Sequence, residues 1–248
     1  MKNSRLQSKR AGITLVGLII GMALSTFLIA AILQIFTTMK NNYKLAQNLT
    51  ELDSAMNYAI TRMTDIMKNA GYVEPANVTS ELPIIPQPYI SEDPVGQPII
   101  IFTGSRTGNS YDCLGNSVAA GTKAIVRFGR SDFPGTSLKC ENLNESFIPI
   151  AVNFIISGLV EDFRVRYGYD LSNNGGVQLY SAFTNNNDRN RIRAIQIALL
   201  LHSREDIFPV EKEQKFSLWG EEIKKNGKKI YRLQTFTIPL IHLPNPLP

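Results

Sequence analysis

The chain has 248 residues, 44% of them hydrophobic and 19% charged, with 26 basic and 21 acidic side chains for a net charge of +5 at pH 7. That is ordinary for a globular protein with a real core, and nothing repeats at a fixed period, which excludes a solenoid or other repeat array. Lys2, Arg5, Lys9 and Arg10 supply four of the excess bases within the first twelve residues, so the rest of the chain carries only +1. Its bases alternate with acids, as in "EKEQK" and "EEIKK", which reads as a solvated surface rather than a nucleic-acid patch.

From Ala11 to Met39 no residue is charged, a run of 29. An α-helix needs about 20 residues to cross the hydrocarbon core, so this segment is long enough to span a bilayer. Bases before it and only Lys40 and Lys44 soon after it place the N-terminus in the cytoplasm and everything beyond about residue 40 outside the inner membrane. An ordinary secretory signal fits poorly. Its apolar region should be about 7 to 15 residues long, and here hydrophobicity continues past the small residues of "FLIAAIL" to Phe36.

The helical pattern then continues. Leu45, Leu49, Leu52, Met56, Ala59, Met63, Ile66 and Ala70 recur at alternating steps of four and three, one apolar stripe at helical period. Gly71 follows the last of them, where a glycine commonly ends a helix. A helix from Ile13 to Ala70 would be roughly 87 Å long. The same stripe would serve a coiled-coil dimer. A large β-rich region follows, however, and needs an element to pack on, which favours a helix laid on a sheet.

Residues 73 to 98 contain six prolines and read as an irregular connection. Beyond them the period is two. "EDFRVRYGY" alternates Phe163, Val165 and Tyr167 with Arg164 and Arg166, as in a strand with one wet face. "RIRAIQIALLLH" sets Ile195, Ile197, Leu199 and Leu201 on one face, and "YRLQTFTIPLI" does the same with Phe236, Ile238 and Leu240. "PIIIF", "KAIVRF" and "IPIAVNFII" are further strands, with turns at "SNNGG" and "NNNDRN". The expected fold is α+β, a long N-terminal helix, half membrane-spanning and half amphipathic, packed on a mainly antiparallel β-sheet head.

Cys113 and Cys140 lie in polar, loop-like surroundings, "NSYDCLGNS" and "SLKCENLN". In an oxidising compartment they are expected to form one disulfide. A metal pair or a catalytic thiol would want histidines nearby, and the only two, His202 and His242, fall within or at the ends of strands. "DLSNNGG" places Asp170, Asn173 and Asn174 as in a calcium loop but lacks the closing glutamate, so it reads as a hairpin turn. Glu161–Asp162 and Glu221–Glu222 are adjacent pairs that a strand directs to opposite faces, which suits no shared acid–base work. No phosphate loop or nucleophile elbow occurs. We expect no enzyme, no cofactor, no metal site and no direct nucleic-acid site.

The N-terminal stretch "KRAGITLVG" resembles the processing motif of type IV prepilins. The basic leader with Lys9 and Arg10, then Gly12, Thr14, Leu15 and Val16 match the motif. Ile13 stands where phenylalanine is usual, and Gly17 where the family carries glutamate. Farther along, "NYAITRMTDIMKNAGY", "ISGLVEDFRVRYGYD", "IRAIQIALLLHSRED" and "YRLQTFTIPLIHL" resemble, in order, stretches of the PilW group of minor pilins. The resemblance implies a leader at 1–12, removed after Gly12 by a prepilin peptidase, with methylation of the new amine on Ile13. It further implies a helix over 13–71, transmembrane over 13–36, and a periplasmic head over 72–248. The partners it implies are other minor and major pilins, the inner-membrane assembly platform and the membrane itself. The role implied is structural: initiating a pilus and sitting at or near its tip, in support of adhesion, twitching motility or DNA uptake. A type II secretion minor pseudopilin of the J kind, or an uncleaved single-span protein with a periplasmic binding head, is the alternative.

Gly17 departs from that motif at the acid held to pair with a neighbouring subunit's ammonium, a pairing both charges need in hydrocarbon. Its absence fits a subunit with no neighbour above it. Gly17, Gly21 and Ser25 also form a small-xxx-small-xxx-small face that lets helices approach closely.

Overall fold

The computed structural model describes residues 15–72, 90–92, 97–105, 110–132, 136–172, 174–181 and 191–240. The leader bases, Gly12, Ile13 and Thr14, the "NNNDRN" turn and His242 lie outside these residues. The chain divides into two compact units between Gln47 and Asn48. The first unit's described part is helix. The second holds the rest of that helix and every strand.

One helix, α1 (Leu15–Met67), is followed by β1 (Ile90–Glu92), β2 (Pro98–Thr103), β3 (Lys123–Ser131), β4 (Ser137–Leu143) and β5 (Pro149–Ile156). Then come β6 (Val160–Tyr169), β7 (Leu179–Ser181), β8 (Ile192–His202), β9 (Lys212–Leu218), β10 (Glu221–Gly227) and β11 (Tyr231–Pro239). All strand pairs are antiparallel, and they sort into three sheets: β1-β2-β3-β4-β5, β11-β8-β6-β7 and the hairpin β9–β10. The α+β architecture of a long helix on antiparallel sheets is therefore the fold.

The helix ends where the chain is tied to the first sheet. Asn69 and Ala70 donate backbone bonds only three residues back, to Ile66 and Met67, tightening the last turn. Gly71 then adopts φ 77°, left-handed and cheap only for glycine, and its N–H reaches the Ile101 carbonyl in β2 at 2.9 Å.

Leu52, Met56, Ala59, Met63, Ile66, Met67 and Ala70 are buried in one cluster with residues of both large sheets. From β2, β3 and β4 come Ile100, Phe102, Val126, Phe128, Leu138 and Cys140. From β8 and β11 come Ile195, Ile197, Leu199, Leu201 and Ile238, with Leu240 just beyond β11 and Tyr167 from β6. The helix thus fills the space between two sheets, and each fully buried aliphatic side chain is worth about 1.5–3 kcal/mol.

Three expectations change. The segment 73–98 is not irregular throughout: β1 forms at 90–92 and pairs with β2, which Pro98 opens. A first strand position suits proline because no ladder N–H is required there. Cys140 lies in β4 rather than a loop and is fully buried. Its polar neighbours Lys139 and Glu141 point to the opposite face, where Glu141 pairs with Lys139 at 2.8 Å and Arg127 at 2.6 Å. Finally, the wet face of β6 is covered in part: Asp162, Arg164 and Arg166 are half-buried rather than exposed. Ala194, Ala198 and Leu200, on the face of β8 away from the helix, are buried as well.

Met63→Ala, which empties a fully buried site in the helix seam, should lower stability by about 2–5 kcal/mol in chemical denaturation. Tyr58→Ala, on the exposed side of the same helix, should stay within about 0.5 kcal/mol.

Candidate functional site

Two features of the chain bear on function: the exposed apolar part of α1, and the fastenings of the head around the amphipathic part.

The first begins with Leu15 and Val16 and remains uncharged to Met39. It is long and apolar enough to cross a membrane, and none of that apolar window is buried by the rest of the chain. Four of its hydroxyl side chains turn inward on the helix itself. Ser25 donates to the Met22 carbonyl at 2.9 Å, Thr26 to Ala23 at 2.8 Å, and Thr37 and Thr38 both to Gln34 at 2.9 Å. With backbone and hydroxyls satisfied internally, the segment presents hydrocarbon outward, the condition for residence in lipid. Gly17, Gly21 and Ser25, spaced by four, share one face. A side chain added at Gly21 would meet nothing within 4 Å, so no described part of the chain uses the space that glycine leaves.

The head is fastened by the Cys113–Cys140 disulfide. Both cysteines are buried, with Cα atoms 5.4 Å apart, and the bond ties the loop at Cys113 to β4. Side chains secure the loop further. Asn142 accepts from the Cys113 N–H at 3.0 Å and donates to Asp112 at 3.0 Å, and Asn153 of β5 donates to the Cys113 carbonyl at 2.9 Å. Arg62, half-buried on α1, donates to the Asp112 carbonyl at 2.8 Å. Loop, sheet and helix are therefore joined at one point.

The hairpin β9–β10 forms the second fastening. Its loop is only Trp219 and Gly220, with φ 53° and 92°, the two left-handed positions of a type I′ turn. It is pinned to β6 by ion pairs, Glu161–Lys225 at 2.6 Å and Arg164–Glu221 at 3.0 Å. The Arg166 guanidinium lies 4.5 Å from the Trp219 ring centroid and 5.3 Å from that of Tyr180. Burial pushes the Glu161 carboxyl up, but the hydrogen bond and charge of Lys225, with the charges of His202 and Arg130, hold it below its ordinary value. Burial and then the Glu161 charge push the Tyr231 hydroxyl up, against a smaller pull from Lys225.

The residues singled out from sequence therefore fall into separate groups. The cysteines come together. Asp170 is buried at the β6–β7 loop, where its carboxylate accepts from the N–H groups of Asn174 and Gly175 at 3.2 and 2.7 Å, the geometry of a turn. The covering hairpin was missed, although "FSLWGEEI" carries a two-residue turn ending in glycine between alternating flanks.

The family model for type IV pilus-assembly protein W, PilW, matches residues 116–242, just over half of the chain. The chain belongs to the PilW family. Its fold is also that of a type IV-like pilin from Thermus thermophilus, with a TM-score of 0.51 at 12% identity over 77% of this chain and 96% of that one. No curated protein matches this chain significantly. The PilW match begins in the disulfide-closed loop and runs past the end of β11, so it covers β3 to β11 and leaves out β1 and β2. This PilW-family chain is a structural subunit related to the type IV pilus, not an enzyme.

Replacing both cysteines with serine should lower stability by about 3–4 kcal/mol in the chain-entropy model. Glu161 gives a pH signature. Its folded pKa lies below the ordinary 4.5, so its contribution is present above that value and is lost as pH falls through the folded pKa. Glu161→Gln should therefore lower stability at pH 7 and flatten the decline below about pH 4.5, read from denaturant midpoints across pH.

Proposed function

We propose that this chain is a minor pilin of the type IV pilus that helps initiate assembly and sits at or near the tip. The observation that carries the reading is the pairing of a PilW-family head with a preceding helix whose apolar window no described residue buries. On this reading the leader, residues 1–12, is cut after Gly12 on the cytoplasmic side by a prepilin peptidase, and Ile13 is methylated. Residues 13–36 hold the subunit in the inner membrane as a single pass, with residues 72–248 as the periplasmic head. The assembly platform then moves it from the bilayer into a filament with other minor and major pilins. The pilus in turn supports adhesion, twitching motility or DNA uptake.

The helix suits such a transfer. The hydroxyls of Ser25, Thr26, Thr37 and Thr38 bond to the helix's own carbonyls, so exchanging lipid for neighbouring helices strands none of them. The small face of Gly17, Gly21 and Ser25 admits a close neighbour. Glycine at position 17 leaves a neighbour's ammonium without its carboxylate, which suits a subunit that has no other above it.

Deleting the gene should sharply reduce the number of surface pili, and the wild-type gene should restore it. Gly17→Glu should restore fewer pili, because it inserts an unpaired carboxylate at a tip position. Pili in normal number in the deletion strain would overturn the assembly role. Full restoration by Gly17→Glu, with labelled subunit spread along the filament, would overturn the tip position.

A further inference from the structure

β5 is an outer strand of the five-stranded sheet, and no strand pairs with its other edge among the described residues. Ile148, Ile150, Val152 and Phe154 alternate along the strand and its lead-in and retain 58%, 68%, 44% and 37% of their surface. No charge occurs from Ser146 to Val160. Edge strands ordinarily carry lysines or other charges that deter pairing with another chain. This one has instead Pro149 and a register shift near each end, which leave a regular stretch from Ala151 to Phe154.

We infer that the β5 edge accepts an extended strand from the head of a neighbouring pilin, a strand uncharged and apolar at alternate positions. This rests on the proposed role as a pilus subunit. The free N–H and C=O groups of an edge call for a backbone partner, which lipid does not supply. Charge on the same face is closed within the chain, since Glu141 is buried against Lys139 and Arg127. Beside that closed cluster the strand offers nothing to a nucleic acid or a charged peptide. Four partly exposed side chains fall short of the ~800 Å² per partner that a stable free complex buries. A contact this small is effective only when its partner is already held nearby. Anchoring two subunits by apolar helices in one bilayer, or in one filament, raises the effective concentration in that way.

The test uses the full chain in its own cells. Phe154→p-benzoylphenylalanine is installed for photo-crosslinking, and the partner peptide is identified by mass spectrometry. The expected product joins Phe154's position to a strand in the head of a different pilin. Val152→Lys or Ile150→Lys, each adding an edge lysine at an exposed site, should reduce the yield at least tenfold. Val210→Lys, at an exposed valine outside the strands with 73% of its surface free, should leave it unchanged. Protein level and formation of the Cys113–Cys140 bond report folding of each variant. No product, a product with a protein other than a pilin, a product with a second copy only, or full yield in a well-folded lysine variant would each overturn the inference. The gene deletion tests the pilus role separately. Loss of pili on deletion without a crosslink would refute only the β5 contact. A lysine-sensitive pilin crosslink in the expressing strain, together with normal pili in the deletion strain, would refute only the assembly role.

Discussion

The seam between the second half of α1 and the two large sheets organises everything else in the head. One helical stripe, from Leu52 to Ala70, is buried in a single cluster with residues of β2, β3 and β4 and of β8 and β11. Each sheet alone would leave its row of isoleucines, leucines and phenylalanines in water. The helix contributes methionine at positions 56, 63 and 67 to this cluster, an unbranched and adaptable side chain suited to filling an irregular seam. The Gly71 turn, the Arg62 bond to Asp112 and the disulfide all lie around the C-terminal end of this stripe. They hold the chain where the helix hands over to the sheets.

The outer faces of the sheets are treated differently from one another. The second sheet is closed by a hairpin held through charge and an arginine stacked on tryptophan. The first keeps a buried ion cluster at Glu141 and an unprotected edge at β5. This asymmetry fits a subunit whose head is complete on one side and available on the other. A free-standing monomer gains nothing from an uncharged exposed edge, and a subunit of a polymer does.

Much of the seam was legible beforehand because both periodicities were clean. Ile195, Ile197, Leu199 and Leu201 alternate strictly, and the helical stripe keeps its steps of four and three for 25 residues. What stayed hidden depends on tertiary contact. The alternation of Arg164 and Arg166 looks the same whether water or a charged hairpin lies above it. "EKEQK" and "EEIKK" read as solvated surface, and Glu213, Lys215 and Glu222 do stay exposed; what neither stretch shows alone is that Lys215 also reaches Glu222 across the hairpin and Lys225 reaches Glu161 of β6. Cys140 looked loop-like because polar neighbours flank it, yet in a strand those neighbours face the other way. The division of the strands into separate sheets is a property of pairing, and a strand's own residues do not encode which neighbour it takes. Gly17, Gly21 and Ser25 were visible as a pattern, and of the three Gly21 has no described atom within 4 Å of where a side chain would stand.

Family membership rests on the head, whereas the mechanism proposed rests on the helix and on a leader that is removed while the helix is kept. The mass of the N-terminal peptide, measured on protein purified from the inner membrane, bears on that link most directly. A peptide beginning at N-methylated Ile13 is the predicted result. A chain that still begins at Met1, or one cut within the apolar segment near Ala31, would contradict the pilin reading.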